Sequence, residues 1–206
     1  MVTVTQVLDR ESQALTAALR SLPAGAWDRL TRCTPWRVRD LAGHIIAVVS
    51  RVPGMIAGPA PERADTDAAR YYRGDERFSD SANEDRIALG RTIGGATPDE
   101  LITELEKTCR QALDDARTQP PGRIVVTRHG DAMLLDEFLT TRVLEIAVHG
   151  LDIADAIPVP AWLTPAAAAH LQRLFPATAG APDPAAALRA ATGRAPTTGT
   201  SGLTFG

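Results

Sequence analysis

The stretch Thr141–Asp152, TRVLEIAVHGLD, decides how the chain folds. Val143, Leu144, Ile146, Ala147, Val148 and Leu151 make it apolar, so it reads as a helix buried on most of its circumference. Glu145 and His149 interrupt it four residues apart. Residues at i and i+4 lie one above the other on a helix, so both side chains point the same way. Arg142, three before Glu145, and Asp152, three after His149, lie near the same stripe. A carboxylate and an imidazole seldom enter an apolar helix without a partner.

Working outward, a second apolar helix carries another histidine. It spans TPWRVRDLAGHIIAVVSR, with His44 inside the run. Thr34 is read as its cap, Pro35 as its first residue, and Pro53–Gly54 as its break. Residues 3–22 form an amphipathic helix ended by Pro23 and Gly25. Residues 53–78 are rich in Pro, Gly and charge and read as a long connection with a helical piece around Ala68–Tyr72. Residues 80–93 form a further helix stopped by Gly94–Gly95. Thr97, Pro98 and Glu100 open another with capping-box spacing. RIVV at 123–126 is a short extended piece, and His129–Gly130–Asp131 a turn. The central helix covers roughly 133–155. Thr164–Pro165 and Asp183–Pro184 each begin a short alanine-rich helix, and the Gly/Thr-rich end is irregular. Helices without a strand–helix alternation give an all-α chain: a bundle of four main helices over 1–157 and a short C-terminal extension over 158–206.

The 206 residues suffice for one domain with a real core. A net charge of −3, with both signs interspersed, gives no footprint for nucleic acid. Lys107 is the only lysine, and this Arg/Ala/Gly/Pro bias suggests a GC-rich genome. No basic n-region precedes an apolar segment, so no signal peptide is expected, and no run is read as a membrane span. Cys33 and Cys109 are read as two reduced thiols in a cytoplasmic protein.

Bundle helices turn their apolar faces to a common interior, so His44, Glu145 and His149 can meet there. Two imidazoles and a carboxylate are the ligands a catalytic zinc site uses while keeping a position open. Asp40 and Asp152 are spaced to orient an imidazole each. Spacing alone equally allows a hydrogen-bonded Glu145–His149 pair and a satisfied core histidine. His129 is left between surface and site. His170 reads as packing. Tyr71, Tyr72 and Arg73 are candidates for a cavity mouth. Cys33 and Cys109 show no base partner in the sequence.

TPWRVRDLAGHIIAV and TRVLEIAVHGLDIADAI resemble, in order, the two motif helices of the mycothiol-dependent maleylpyruvate isomerase N-terminal domain family. These are the W-x-V-x-D-L-x-x-H and R-x-x-E-x-x-x-H-x-x-D patterns. The resemblance covers roughly residues 5–157 and implies a DinB-like four-helix metalloprotein. It implies His44, Glu145 and His149 as ligands of a divalent metal, usually zinc, and Arg142 as a catalytic arginine beside it. It further implies mycothiol, an actinobacterial thiol, as cosubstrate, activated as a thiolate for S-transfer to, or cis–trans isomerisation of, a small electrophile. Maleylpyruvate isomerase itself has a larger C-terminal domain, whereas residues 158–206 are all that follow here. A small-molecule binding or carrier module, and a thiol-independent metal hydrolase, are the rival readings. The expected partners are a small substrate and a thiol, with neither nucleic acid nor membrane, in a monomer or homodimer.

Overall fold

A computed structural model of the chain describes residues 2–72, 80–157 and 159–194, and in 80–83 the backbone alone. The helices are α1 (Val4–Arg20), α2 (Val38–Val49), α3 (Arg51–Ala57), α4 (Ala68–Tyr71), α5 (Asp80–Gly94) and α6 (Pro98–Arg117). A hairpin, β1 (Ile124–Val126) and β2 (Ala132–Leu134), then leads into α7 (Leu135–Ala156), α8 (Pro165–Leu171) and α9 (Pro184–Ala191). Helices α1, α2, α6 and α7 pack on one another as the bundle, and α5 lies along α2. The chain is therefore the expected all-α, DinB-like fold with a small appendage.

Helix α7 is the axis. From Leu135 to Ala154 it is buried apart from Asp136, Glu137 and Glu145. Its own Phe138 and Leu144, with Leu8 and Leu15 of α1 and Leu41 and Ile45 of α2, have at most 1 % of their surface exposed. Each such side chain contributes roughly 1.5–3 kcal/mol relative to an exposed one. Ala167, Leu171, Phe175 and Leu188 belong to this same core, so the C-terminal extension packs onto the bundle. Glu11 on α1 anchors it, accepting from the Thr164 N–H (3.0 Å) and hydroxyl (2.5 Å) at the start of α8.

Two expected boundaries move. Helix α2 starts at Val38, not Pro35, because the chain first folds back on itself. Leu30 pairs with Arg37 in an antiparallel bridge, and the Thr31 N–H donates to the Trp36 carbonyl at 2.9 Å. Pro35, after a cis peptide bond, lies in this loop. The cap is Asp40, whose carboxylate accepts from the Arg37 N–H at 2.9 Å, where negative charge suits a helix start. At the other end, Pro53 and Gly54 do not break the helix; α2 ends at Ser50, which also precedes α3, and Pro53 falls in the first turn of α3, where its missing N–H forfeits no bond. Helix α7 starts at Leu135, because Met133 and Leu134 belong to β2. Val38–Ala57, unexpectedly, is long and apolar enough by composition to cross a membrane; 67 % of its apolar window is buried in the protein, as for a core helix.

The connection after α3 is pinned rather than loose. The Asp65 N–H donates to the Ala132 carbonyl (2.8 Å), and the Asp65 carboxylate accepts from the Ala132 N–H (2.9 Å). Glu137 on α7 accepts from the Ala68 N–H at 3.0 Å, which fixes the start of α4. These bonds carry Tyr71 and Tyr72 to the bundle core. The expected end of the central helix at Pro158, the mouth residue Arg73, and the tail after Arg194 lie outside the described residues.

Candidate metal centre

His44 projects from α2, and Glu145 and His149 from α7. His44 Nε2 lies 3.5 Å and His149 Nε2 3.2 Å from the same oxygen, Glu145 Oε2. One donor atom from each residue falls within 4.8 Å of the others. In a tetrahedral zinc site with bonds of about 2.0–2.1 Å, neighbouring ligand atoms stand about 3.3 Å apart. The two measured separations straddle that edge length, so the trio fits a metal with little movement. The imidazole rings meet nearly edge to face, 5.1 Å between centroids at 89°, so both nitrogens converge while the rings stay apart.

Charge in the trio is divided unequally. Burial pulls His44 down to about 4, and the charge of His149 adds to that effect, so His44 is neutral near pH 7. Burial also disfavours a charged His149, but hydrogen bonds to Asp152, Cys33 and Glu145 outweigh it and hold the ring well above its ordinary value. Burial opposes ionisation of Glu145, and hydrogen bonds from His149 and His44 overcome that, holding it well below the usual carboxylate range. A carboxylate and a neutral imidazole are ready to ligate. A bound metal would take the place of the positive charge on His149.

Supporting side chains surround the three. Asp152 is fully buried, and its Oδ2 lies 3.0 Å from His149 Nδ1, the orienting contact its spacing predicts. Asp40 does not do the same for His44, because it is committed to capping α2. The Tyr72 hydroxyl stands 3.0 Å from Glu145 Oε1 and 3.1 Å from the Thr141 carbonyl. Tyr72 is thus a buried partner of the glutamate and not a rim residue. The Trp36 ring covers His44 with centroids 4.6 Å apart.

Arg142 is 1 % exposed. Its Nη1 donates to the Val48 carbonyl (2.8 Å) and its Nε to the Thr141 hydroxyl (3.1 Å). Its guanidinium lies over the Phe138 ring at 4.5 Å. It ties α7 to α2 beside the trio, and among the described residues it makes no ion pair with an acid on a neighbouring helix. Arg51, at the start of α3, is the more available cation. Burial, with the charges of Arg128 and Arg142, draws it down to about 10, and Glu145 works in the opposite direction. Arg86 feels the same surroundings: burial and the charge of Arg128 lower it, while Glu145 acts against them. Among the described residues, Arg51, Arg86 and Arg142 all feel the charge of Glu145.

Cys33 does have partners that its sequence position hides. Its thiol lies 3.2 Å from Asp152 Oδ2, so Cys33, His149 Nδ1 and Asp152 form a second donor cluster. The other oxygen of Asp152 already accepts from the Arg194 guanidinium at 2.8 Å. A fixed positive charge thus occupies the place where a cation would gain most. Cys109 is buried on α6, and burial pushes its thiol up to about 12, which makes it inert. His129 accepts from Arg128 Nε at 3.0 Å in the hairpin turn, and His170 contacts the Thr140 hydroxyl at 2.9 Å, a packing role.

Residues 8–154 match the family described as the mycothiol maleylpyruvate isomerase N-terminal domain. Two uncharacterized proteins of Mycobacterium tuberculosis, from strains CDC 1551 / Oshkosh and ATCC 25618 / H37Rv, are each 28 % identical to the chain over 166 residues. The alignment covers 80 % of this chain and 61 % of each relative, so the chain spans less than two thirds of their length. Among solved structures, the mycothiol-dependent maleylpyruvate isomerase superposes with a TM-score of 0.54 at 16 % identity, over 74 % of this chain and 63 % of that one. A histidine-to-alanine mutant of the mycothiol-dependent maleylpyruvate isomerase gives the same TM-score at 15 % identity. At such identity the likeness concerns the fold.

Proposed function

The chain belongs to the mycothiol maleylpyruvate isomerase N-terminal domain family, and from that premise we propose that it is a metal- and thiol-dependent enzyme acting on a small anionic electrophile. The observation that carries the proposal is the convergence of His44 Nε2 and His149 Nε2 on Glu145 Oε2 in a buried bundle core. His44, Glu145 and His149 would hold the metal, zinc in the first instance. A divalent metal held there would supply Lewis-acid charge that favours the thiolate, the nucleophilic form of a thiol, at neutral pH. The thiol is mycothiol, by the family. Addition of its sulfur to an activated alkene, bond rotation and elimination give isomerisation and return the thiol. Release of the adduct instead gives S-transfer.

This chain's residues prepare the site for that chemistry. Tyr72 and Asp152 hold Glu145 and His149 in fixed orientations. Arg142 fixes the spacing of α2 and α7, on which the trio depends. Arg51 supplies positive charge toward a substrate carboxylate, while Arg142, the arginine implied by the resemblance, is held by Val48 and Thr141. The bundle carries all three proposed ligands, and the described part of the extension, 159–194, buttresses it.

The test uses zinc-loaded protein with mycothiol and a panel of small electrophiles, carboxylate-bearing activated alkenes first. Thiol-dependent turnover that His44→Ala abolishes is expected. Turnover indifferent to thiol would favour a metal hydrolase. Metal binding without turnover across thiols and electrophiles would favour a binding module.

A further inference from the structure

The C-terminal extension reaches the candidate metal centre through the side chain of Arg194. Arg194, beyond the end of α9, is 6 % exposed. Its Nε donates to Asp152 Oδ1 at 2.8 Å and its Nη1 to the Thr192 carbonyl at 3.0 Å. The second oxygen of Asp152 faces His149 Nδ1 at 3.0 Å and the Cys33 thiol at 3.2 Å. One carboxylate therefore bridges the extension, the central helix and the loop before α2. Two further ties hold Arg194 in place. Arg32, next to Cys33, donates to the Arg194 carbonyl. Arg189 on α9 makes a forked pair with Asp155 on α7, at 2.6 and 3.0 Å.

We propose that Arg194 is a positioning residue of the metal centre, fixing the Asp152 carboxylate so that His149 presents Nε2 to the metal. The inference rests on His44, Glu145 and His149 being the ligands. Its physics is geometric. A carboxylate held at one oxygen only can swivel about its Cβ–Cγ bond. With Oδ1 on the guanidinium, the plane of Asp152 is set and Oδ2 stays aimed at His149 Nδ1. An acceptor fixed there selects the imidazole tautomer with its proton on Nδ1 and its lone pair on Nε2, the atom turned to Glu145 and His44. Without Arg194, the buried carboxylate loses one of its positive neighbours and its fixed plane, and only the Oδ2 contacts with His149 and Cys33 remain to orient it. The extension then does more than cover the bundle: it completes the support of a ligand on another helix.

Zinc affinity of the full chain tests this without an activity assay. Metal-free wild type, R194Q, R194K, D152N and the R194Q/D152N double variant are titrated with zinc against a chromophoric chelator, with far-UV circular dichroism to confirm folding. Loss of such an outer partner weakens metal binding by about 10–100-fold, the range expected for R194Q and D152N. R194K keeps the charge but not the planar fork and is expected to lose part of that affinity. The double variant is expected to bind no more weakly than D152N alone, because Arg194 acts through Asp152. Wild-type affinity in R194K overturns the inference whether or not R194Q folds. So does a double variant in which both losses add in full. Failure of the wild type to take up zinc overturns the metal assignment itself, which separates the two claims.

Discussion

Replacing Tyr72 by phenylalanine removes one hydroxyl from the support of Glu145 and leaves the ring in place. That hydroxyl lies 3.0 Å from Glu145 Oε1, on a side chain only 7 % exposed. A hydrogen bond to a charged group contributes about 1.5–3 kcal/mol, and the ring still fills its space, so no large cavity term is added. The expected loss for metal-free protein is about 2 kcal/mol. For a domain of this size, each kcal/mol lowers Tm by about 2–4 °C, which gives a drop of about 4–8 °C. A second effect falls on the metal. Oε1 held by Tyr72 turns Oε2 toward His44 and His149, so Y72F should weaken zinc binding by about tenfold. Thermal unfolding followed by circular dichroism, and zinc titration against a chelator, read the two effects separately. A variant that melts with the wild type and binds zinc as tightly would refute the reasoning.

Further tests probe the scaffold. Glu11 is 1 % exposed, and burial pushes it up to about 7, opposed by the Thr164 hydrogen bonds. Its folded pKa lies above its unfolded value, so the folded state binds the extra proton and stability falls as pH rises from about 4.5 to about 7. E11Q, with no charge to bury, should match wild type near pH 5 and exceed it at pH 8 by at most about 3 kcal/mol; equal urea midpoints at pH 8 would contradict this. Gly43 lets α2 meet α5: a Cβ there would lie 2.4 Å from the Gly90 carbonyl oxygen and 2.8 Å from the Gly94 nitrogen. Alanine would gain about 1 kcal/mol of helix propensity, but the backbone clash should outweigh it, giving a net loss of about 3 kcal/mol in urea unfolding.

The pattern around Glu145 and His149 was legible because helix geometry is local. Spacing of three and four residues places side chains on one face whatever surrounds them, and it also located Asp152 beside His149. His44 was legible as the residue that spoils an otherwise apolar run. Asp40 misled for a related reason: an aspartate four before His44 is also three after Arg37, where it serves the helix start, and the start of α2 lies three residues later than proline chemistry suggests. Tyr72, Cys33 and Arg194 had no periodic signal. Each sits outside the long helices and reaches the site through contacts separated by dozens of residues. For Tyr72 the one available hint was a pair of tyrosines in a polar connection. The role of Arg142 was half legible, since a buried arginine on the central helix needs acceptors, but its acceptors are a backbone carbonyl and a hydroxyl and not a carboxylate.

The measurement closest to the central claim is metal content by elemental analysis of untagged protein purified without chelator, beside His149→Ala. His149 is the proposed ligand with contacts on both ring nitrogens, buried between Glu145 and Asp152. The account predicts about one zinc per wild-type chain and its loss from a variant that still folds as a helical bundle. A wild-type protein that carries no metal and takes up none when zinc is added would contradict it, as would a folded variant that keeps its zinc.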